Sequence, residues 1–220
     1  MDKIDIIDTL AKSAKLDINE IDDITENSTV NRVNKHELLK TNDSGCLGLL
    51  YIISGELRAY ILSEEGKEVT LYRLHSDDYC VLTSSCVLNQ IEFDVFVEAI
   101  TPTEFLQINT LAVARVNKSN IFFENFILKQ TLERFNDVMW SMEQILFKSM
   151  DQRLATFLLD EVNKTGNLEL KLTHEQIAKY VASAREVVSR TLKYFEGEKI
   201  LEVKRGKIII KNKKSLLKLI

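Results

Sequence analysis

At 220 residues, 45% hydrophobic and 28% charged, the chain has the composition of an ordinary soluble protein of one or two domains with room for a sizeable core. No apolar run approaches the ~18–20 residues of a membrane span, the start Met1-Asp2-Lys3-Ile4-Asp5 lacks the regions of a signal peptide, and three cysteines are too few for a disulfide framework, so a reducing cytoplasm is the expected compartment. The net charge of −4 divides unevenly: residues 149–220 hold 15 Lys+Arg and 9 Asp+Glu, a net of +6, against 14 and 24, a net of −10, in residues 1–148.

Residues 2–14 carry Ile4, Ile7, Leu10 and Ala11 at helical spacing, and residues 17–27 predict a second short helix capped by Asp17 or Asn19. From Ser28 the period changes. Short β-rich segments at 30–33, 37–40, 46–53, 56–62, 68–74, 93–100 and 103–108 alternate with turn signals such as Asn42-Asp43-Ser44-Gly45, Ser54-Gly55 and Gly66-Lys67. That rhythm predicts an antiparallel sandwich or barrel over roughly 28–109. A long helix over 111–148 follows. In it Leu128, Leu132, Phe135, Met139, Met142 and Leu146 are spaced 4, 3, 4, 3, 4, a heptad seam that calls for a partner helix. The alternative is that the seam packs on the chain's own sheets, but Ile127, Val138 and Ile145 form a second apolar flank for that purpose, so the seam predicts a homodimer. Trp140, beside it, reads as structural.

Beyond Gln152 a helix with Leu154, Phe157, Leu158 and Val162 inward runs to Gly166-Asn167, and a short strand occupies 168–172. Residues 172–195 then read as two helices and a tight turn. Thr173 and Gln176 have capping-box spacing, as do Ser183 and Glu186, with Ala182-Ser183-Ala184 as the turn. On the second helix Val188, Thr191, Leu192 and Phe195 form one buried face. Arg185, Glu186, Ser189, Arg190 and Lys193 form another, polar and mostly basic, suited to a DNA major groove. Residues 200–203 and 207–210, around Arg205-Gly206, predict a β-hairpin. Lys204, Arg205 and Lys207 at its tip, with Thr173, His174 and Lys193, are placed to meet phosphates, which add affinity and salt dependence without sequence choice. The expected partner is therefore double-stranded DNA.

The order of these parts, with Gln152-Arg153-Leu154-Ala155, Leu172-Thr173 followed by Ile177-Ala178, and Arg185-Glu186 followed by Val188-Ser189-Arg190 and Leu192, resembles the Crp/Fnr (cyclic-AMP receptor protein / fumarate-nitrate regulator) family of bacterial transcription regulators over essentially the whole chain. The resemblance implies an α+β protein: an N-terminal antiparallel β-roll, a cupin-like jelly roll, as sensor over 1–110, a dimerisation helix over 111–148 and a winged helix-turn-helix over 149–220. It implies a homodimer reading a palindrome with GA-containing half-sites, with Arg185, Glu186, Ser189 and Arg190 at the base edges and RNA polymerase as a further candidate partner. By chemistry, Arg185 or Arg190 would pair with guanine and Glu186 with cytosine N4. Two positions depart from the pattern: Ala184 stands where Ser or Thr usually caps, leaving Ser183 to take over, and Ala182 stands where the turn usually has Gly.

The signal is less explicit. The phosphate-holding Gly-Glu and Arg of cyclic-nucleotide members are absent around 78–88, and from Ser76 to Ala114 there is no Lys or Arg among six carboxylates, which argues against cyclic AMP. No cysteine precedes Cys46, which argues against an N-terminal iron–sulfur cluster. Ser84 and Ser85 leave a small anion open. Cys80 and Cys86, with His75 upstream, leave a thiol redox switch or haem as alternatives to plain buried hydrophobes, and their spacing is not a zinc pattern. A constitutive dimeric DNA-binding protein with a structural β-roll is the other alternative. Without a phosphate loop, nucleophile elbow or metal motif, no catalytic residue is predicted and an enzyme is the weakest reading.

Overall fold

The computed structural model describes residues 2–40, 47–81 and 95–220. They fall into two compact units: Met1–Glu65 with Leu71–Val138, and Gly66–Thr70 with Met139–Ile220.

The first unit opens with helices α1 (Lys3–Ala14) and α2 (Ile18–Glu26), each started by a capping box, from Asp2 to Asp5 and from Asp17 to Glu20. Asp17 is thus the cap of the second helix. Among the described residues eight strands follow: β1 (Ser28–Val33), β2 (Leu38–Lys40), β3 (Leu49–Ser54), β4 (Leu57–Leu62), β5 (Glu68–Leu74), β6 (Tyr79–Cys80), β7 (Phe96–Ala99) and β8 (Thr103–Ile108). They make two four-stranded sheets, ordered β1-β8-β3-β6 and β2-β7-β4-β5. This is the antiparallel roll that the strand rhythm predicts.

Strand β3 shows how sequence and packing agree. Leu49 to Ile52 are all buried, because successive side chains enter different cores. Leu50 and Ile52 join Leu57, Ala59, Leu74 and Val97 between the sheets. Leu49 and Tyr51 face the opposite way and join Ile6, Leu10 and Ile24 of the helices. Full burial of each such aliphatic side chain contributes about 1.5–3 kcal/mol. Gly55 closes the β3–β4 turn at φ 92°, and a Cβ there would lie 2.5 Å from the Pro102 carbonyl oxygen, so the turn admits only glycine without rearrangement.

The long helix expected over 111–148 is interrupted. Helix α3 (Thr110–Ser119) ends and α4 (Ile121–Phe147) begins around Asn120, whose φ of −121° and ψ of 106° leave the helical region. The Asn120 Oδ1 accepts from the backbone N–H of Phe122 at 2.8 Å and of Phe123 at 3.2 Å, capping α4, while its Nδ2 donates to Glu20 at 2.7 Å. Apolar periodicity runs across the break because Val116, Phe123 and Ile127 all enter the same core. Of the second flank, Ile127 is buried and Val138 packs on the sheet core, but Ile145 stays exposed.

In the second unit α5 (Met150–Thr165) starts at a Ser149–Gln152 capping box and stops at Gly166, in the left-handed region. Then come β9 (Glu169–Leu170), α6 (His174–Tyr180), α7 (Arg185–Gly197), β10 (Leu201–Lys204), β11 (Lys207–Ile210) and α8 (Lys213–Leu217). The three strands pair in the order β10-β11-β9. One core joins Leu154, Leu158, Ile177, Val188, Leu192 and Phe195 to Ile208 of the hairpin. Among the described residues no helix is long and apolar enough to cross a membrane.

Candidate nucleic-acid interface

The helix pair forms as α6 and α7. Thr173 caps α6 through its capping box with Gln176, so its hydroxyl serves the helix start. The turn is a Schellman arrangement: the Ser183 N–H donates to the Ala178 carbonyl at 3.0 Å, and Ala182 holds the left-handed position at φ 49°. A residue with a Cβ is strained there by about 1–2 kcal/mol. Replacing Ala182 with glycine is therefore expected to stabilise the second unit by about 0.5–1 kcal/mol, after allowing for glycine's freer unfolded chain. A urea titration that moved the midpoint downward would contradict this.

The expected cap transfer to Ser183 does not occur. Ser183 is committed to terminating α6, and the N-cap of α7 is Ala184, which makes no side-chain cap. Consequently the Ser183–Glu186 capping box does not form, and Glu186 stands exposed in the first turn of α7. Arg185, Arg190 and Lys193 are exposed on the same helix and Ser189 is half-buried, opposite the buried Val188, Thr191, Leu192 and Phe195. Geometry thus brings the four predicted base-reading residues to one outward face.

The β10–β11 hairpin stands beside them. Together Thr173, His174, Arg185, Lys204, Arg205 and Gly206 line a cleft of 540 Å³. The hairpin's cations are not equivalent. Lys204 pairs with Glu202 at 3.0 Å and Lys207 with Glu169 at 3.0 Å, whereas Arg205, at the tip, has no ion pair among the described residues. Sequence spacing treats the three alike, because the carboxylates that engage two of them come from the hairpin's own flank and from β9.

His174 was expected to meet a phosphate. Its Nδ1 lies 2.8 Å from the Ser189 Oγ, joining α6 to α7. Burial, with the Arg185 charge as a lesser cause, holds its pKa below the ordinary imidazole value of 6.5. Nothing in the fifteen-residue separation announces this contact.

On α4 the predicted seam lies in the open: Leu128 53%, Leu132 59%, Phe135 56%, Met139 46%, Met142 46% and Leu146 65% exposed. Trp140, read as structural, is 49% exposed. A row of six half-exposed apolar side chains on one helix is a surface of the kind that proteins cover.

In the first unit Cys80 is fully buried among Leu50, Leu74 and Val97. His75 approaches Glu56, its Nδ1 4.0 Å from the carboxylate. Ser84, Ser85 and Cys86 lie outside the described residues, as does Cys46. Among the described residues no cluster of three or more metal-ligating side chains occurs. The expectation that the acidic stretch 76–114 meets no cation needs correction, because other elements supply them. Arg58 of β4, 1% exposed, pairs with Glu98 at 3.0 Å and stacks on Tyr60. Glu98 also meets His36 at 2.9 Å. From α4, Arg134 reaches Asp78 at 3.7 Å and Asp137 at 3.2 Å. A charge count along one window misses partners that the register of Arg58 opposite Glu98 brings in across the sheet.

Residues 152–219 match the Crp-like helix-turn-helix domain model. A solved transcriptional regulator of the Crp/Fnr family from Eubacterium rectale is 40% identical, covers 93% of this chain and 95% of its own, and superposes with a TM-score of 0.89. The chain belongs to the Crp/Fnr family. Electron transport regulator A of Shewanella oneidensis is 28% identical over 88% of this chain and 78% of its own length. The cAMP-activated global transcriptional regulator CRP of Salmonella typhimurium is 26% identical over 74% of this chain and 79% of its own. This Crp/Fnr protein is accordingly a transcription regulator with a helix-turn-helix DNA-binding domain, of a family whose members are regulators rather than enzymes.

Proposed function

We propose that this protein is a homodimeric, sequence-specific regulator that reads a two-fold symmetric site through Arg185, Glu186, Ser189 and Arg190. Residues 1–110 are its sensor, α4 its dimer connection and residues 149–220 its reading unit. The observation that carries this is the outward face of α7, whose exposed charged and polar side chains include a Glu186 left unused by any capping box. The exposed seam of α4 supports a second copy, and two copies supply two reading helices for half-sites one helical turn apart, ~34 Å. Arg205 is the main phosphate contact of the wing, with Lys204 and Lys207 weaker because each already holds a carboxylate. The signal acts by favouring one packing of the sensor on α4, which resets the separation of the reading helices. The missing phosphate-holding Gly-Glu and Arg around 78–88 support a signal other than cyclic AMP. RNA polymerase is a further partner of the DNA-bound dimer, and the cytoplasm is the compartment in which it works.

Selection of bound sequences from a random duplex pool with the full-length protein tests the reading. The expected product is a dyad-symmetric motif with GA-containing half-sites. In it Glu186→Ala relaxes the choice at one base pair per half-site by about 1–3 kcal/mol, leaving the others intact. Recovery of a motif without dyad symmetry would sink the proposal.

A further inference from the structure

The hydroxyl of Ser189 does not face DNA alone, because His174 of the preceding helix holds it, with Nδ1 and Oγ 2.8 Å apart. We propose that His174 is a positioning residue for base recognition, setting whether the Ser189 hydroxyl meets a base edge as hydrogen-bond donor or acceptor. This rests on the reading of α7 as the base-reading helix and adds to it a second helix that governs one of its contacts.

The chemistry follows from a proton count. A serine hydroxyl has one proton and two lone pairs. When Nδ1 is bare, the Ser189 O–H donates to it and only lone pairs remain for the base. Ser189 then suits the amino groups of adenine N6 or cytosine N4. When Nδ1 carries a proton, its N–H donates to Oγ, and the serine proton is released toward an acceptor such as guanine O6 or N7 or thymine O4. The imidazolium permits only the second arrangement.

The surroundings favour the first near neutrality. Arg185 of α7, with Lys204 and Arg205 of the hairpin, puts cations around the cleft that His174 lines, and Glu175 beside it on α6 is the carboxylate there. Burial and Arg185 keep the ring neutral below its ordinary range. A DNA phosphate entering the cleft would accept from Nε2–H, the nitrogen that Ser189 does not hold, and that tautomer leaves Nδ1 bare. One imidazole then joins a phosphate contact to the polarity of a base contact.

Competition binding with all four base pairs at each half-site position tests this, using full-length wild type, Ser189→Ala, His174→Ala, the double variant and His174→Asn. Asparagine carries an oxygen acceptor near the position of Nδ1 without its titration. At about pH 7.5 wild type should prefer an adenine or cytosine at one position by about fivefold, and that preference should shrink toward about pH 5.5. Ser189→Ala and His174→Ala should each remove the preference at that same position, with no further loss in the double variant. His174→Asn should retain it and lose the pH dependence.

The inference is overturned if His174→Ala weakens all sequences alike and leaves the base preference unchanged, the signature of a phosphate contact only. Additive losses, losses at different positions, or a His174→Asn variant that behaves as His174→Ala overturn it equally. A wild type without any dyad-symmetric preference overturns the base-reading assignment and this inference together. A wild type with one that His174→Ala leaves untouched overturns this inference alone. As a check that needs no DNA, the His174 imidazole followed by NMR in the free dimer should titrate below 6.5 and shift in Ser189→Ala.

Discussion

On the proposed homodimer, replacing Leu132 with glutamate is expected to leave the protein monomeric and to lower its affinity for the proposed two-fold site by about 10²–10⁴-fold. Leu132 is 59% exposed at the middle of the seam, four residues after Leu128 and three before Phe135. In a two-fold dimer the substitution enters the interface twice, so two carboxylates lose water near one another in an apolar seam. The penalty is several kcal/mol per ion, and like charge adds to it. Ile127, of the second apolar flank, is already buried in the first unit and cannot take over the contact. The effect on DNA follows from valency: a monomer engages one half-site and loses the effective concentration that the linked second reading helix provides. Sedimentation equilibrium and titration of the full site measure the two consequences. Ile18→Glu is the control, because Ile18 is 77% exposed on a different helix, α2, and the same chemical change there should leave both unchanged. A Leu132→Glu protein that stays dimeric would remove α4 as the dimer connection.

What could be read in advance divides by how local the cause is. The cap at Asp17, one of the two residues offered, the capping box at Thr173 and the inward face of α7 all depend on residues within one or two turns, and each appears at the spacing that points to it. The break at Asn120 was legible in principle, since an asparagine ahead of Ile121 and Phe122 is a cap signal, but the apolar period continues across it and masks it. Ser183 misled for a related reason. Its spacing to Glu186 satisfies the capping rule, yet the Schellman turn that ends α6 claims its backbone first, a competition between two local rules that only geometry decides.

Long-range pairs were not legible at all. Arg58 meets Glu98 through the pairing of β4 with β7, and Arg134 reaches Asp78 from a helix, so a charge count over 76–114 could not include either. The same holds at the interface. Spacing singled out Ser189, His174 and Lys207 separately, but the His174–Ser189 hydrogen bond and the Lys207–Glu169 pair join elements whose meeting depends on the packed unit. Residue types at the interface were therefore visible in sequence, and their pairing was not.

Removing the Phe195 ring tests the rotation of the reading helix as well as its stability. Phe195 is fully buried in the core that joins α5, α6, α7 and the hairpin, and Phe195→Ala should cost about 3–5 kcal/mol by lost transfer energy and an unfilled cavity. Its neighbour Tyr194 is 53% exposed, and Tyr194→Ala should change stability by no more than about 0.5 kcal/mol. Amide hydrogen exchange read along α7 separates this unit from the rest of the chain, and Phe195→Ala should accelerate exchange there by about 10²–10⁴-fold while Tyr194→Ala changes it by no more than about twofold. The contrast bears on recognition because α7 is one rigid element. If Val188, Leu192 and Phe195 point inward, then Arg185, Glu186, Ser189 and Arg190 are held outward by the same backbone, and the core that fixes one face aims the other. Equal costs at 194 and 195 would mean that α7 is rotated about its axis from this arrangement, and the outward set of side chains would have to be reassigned with it.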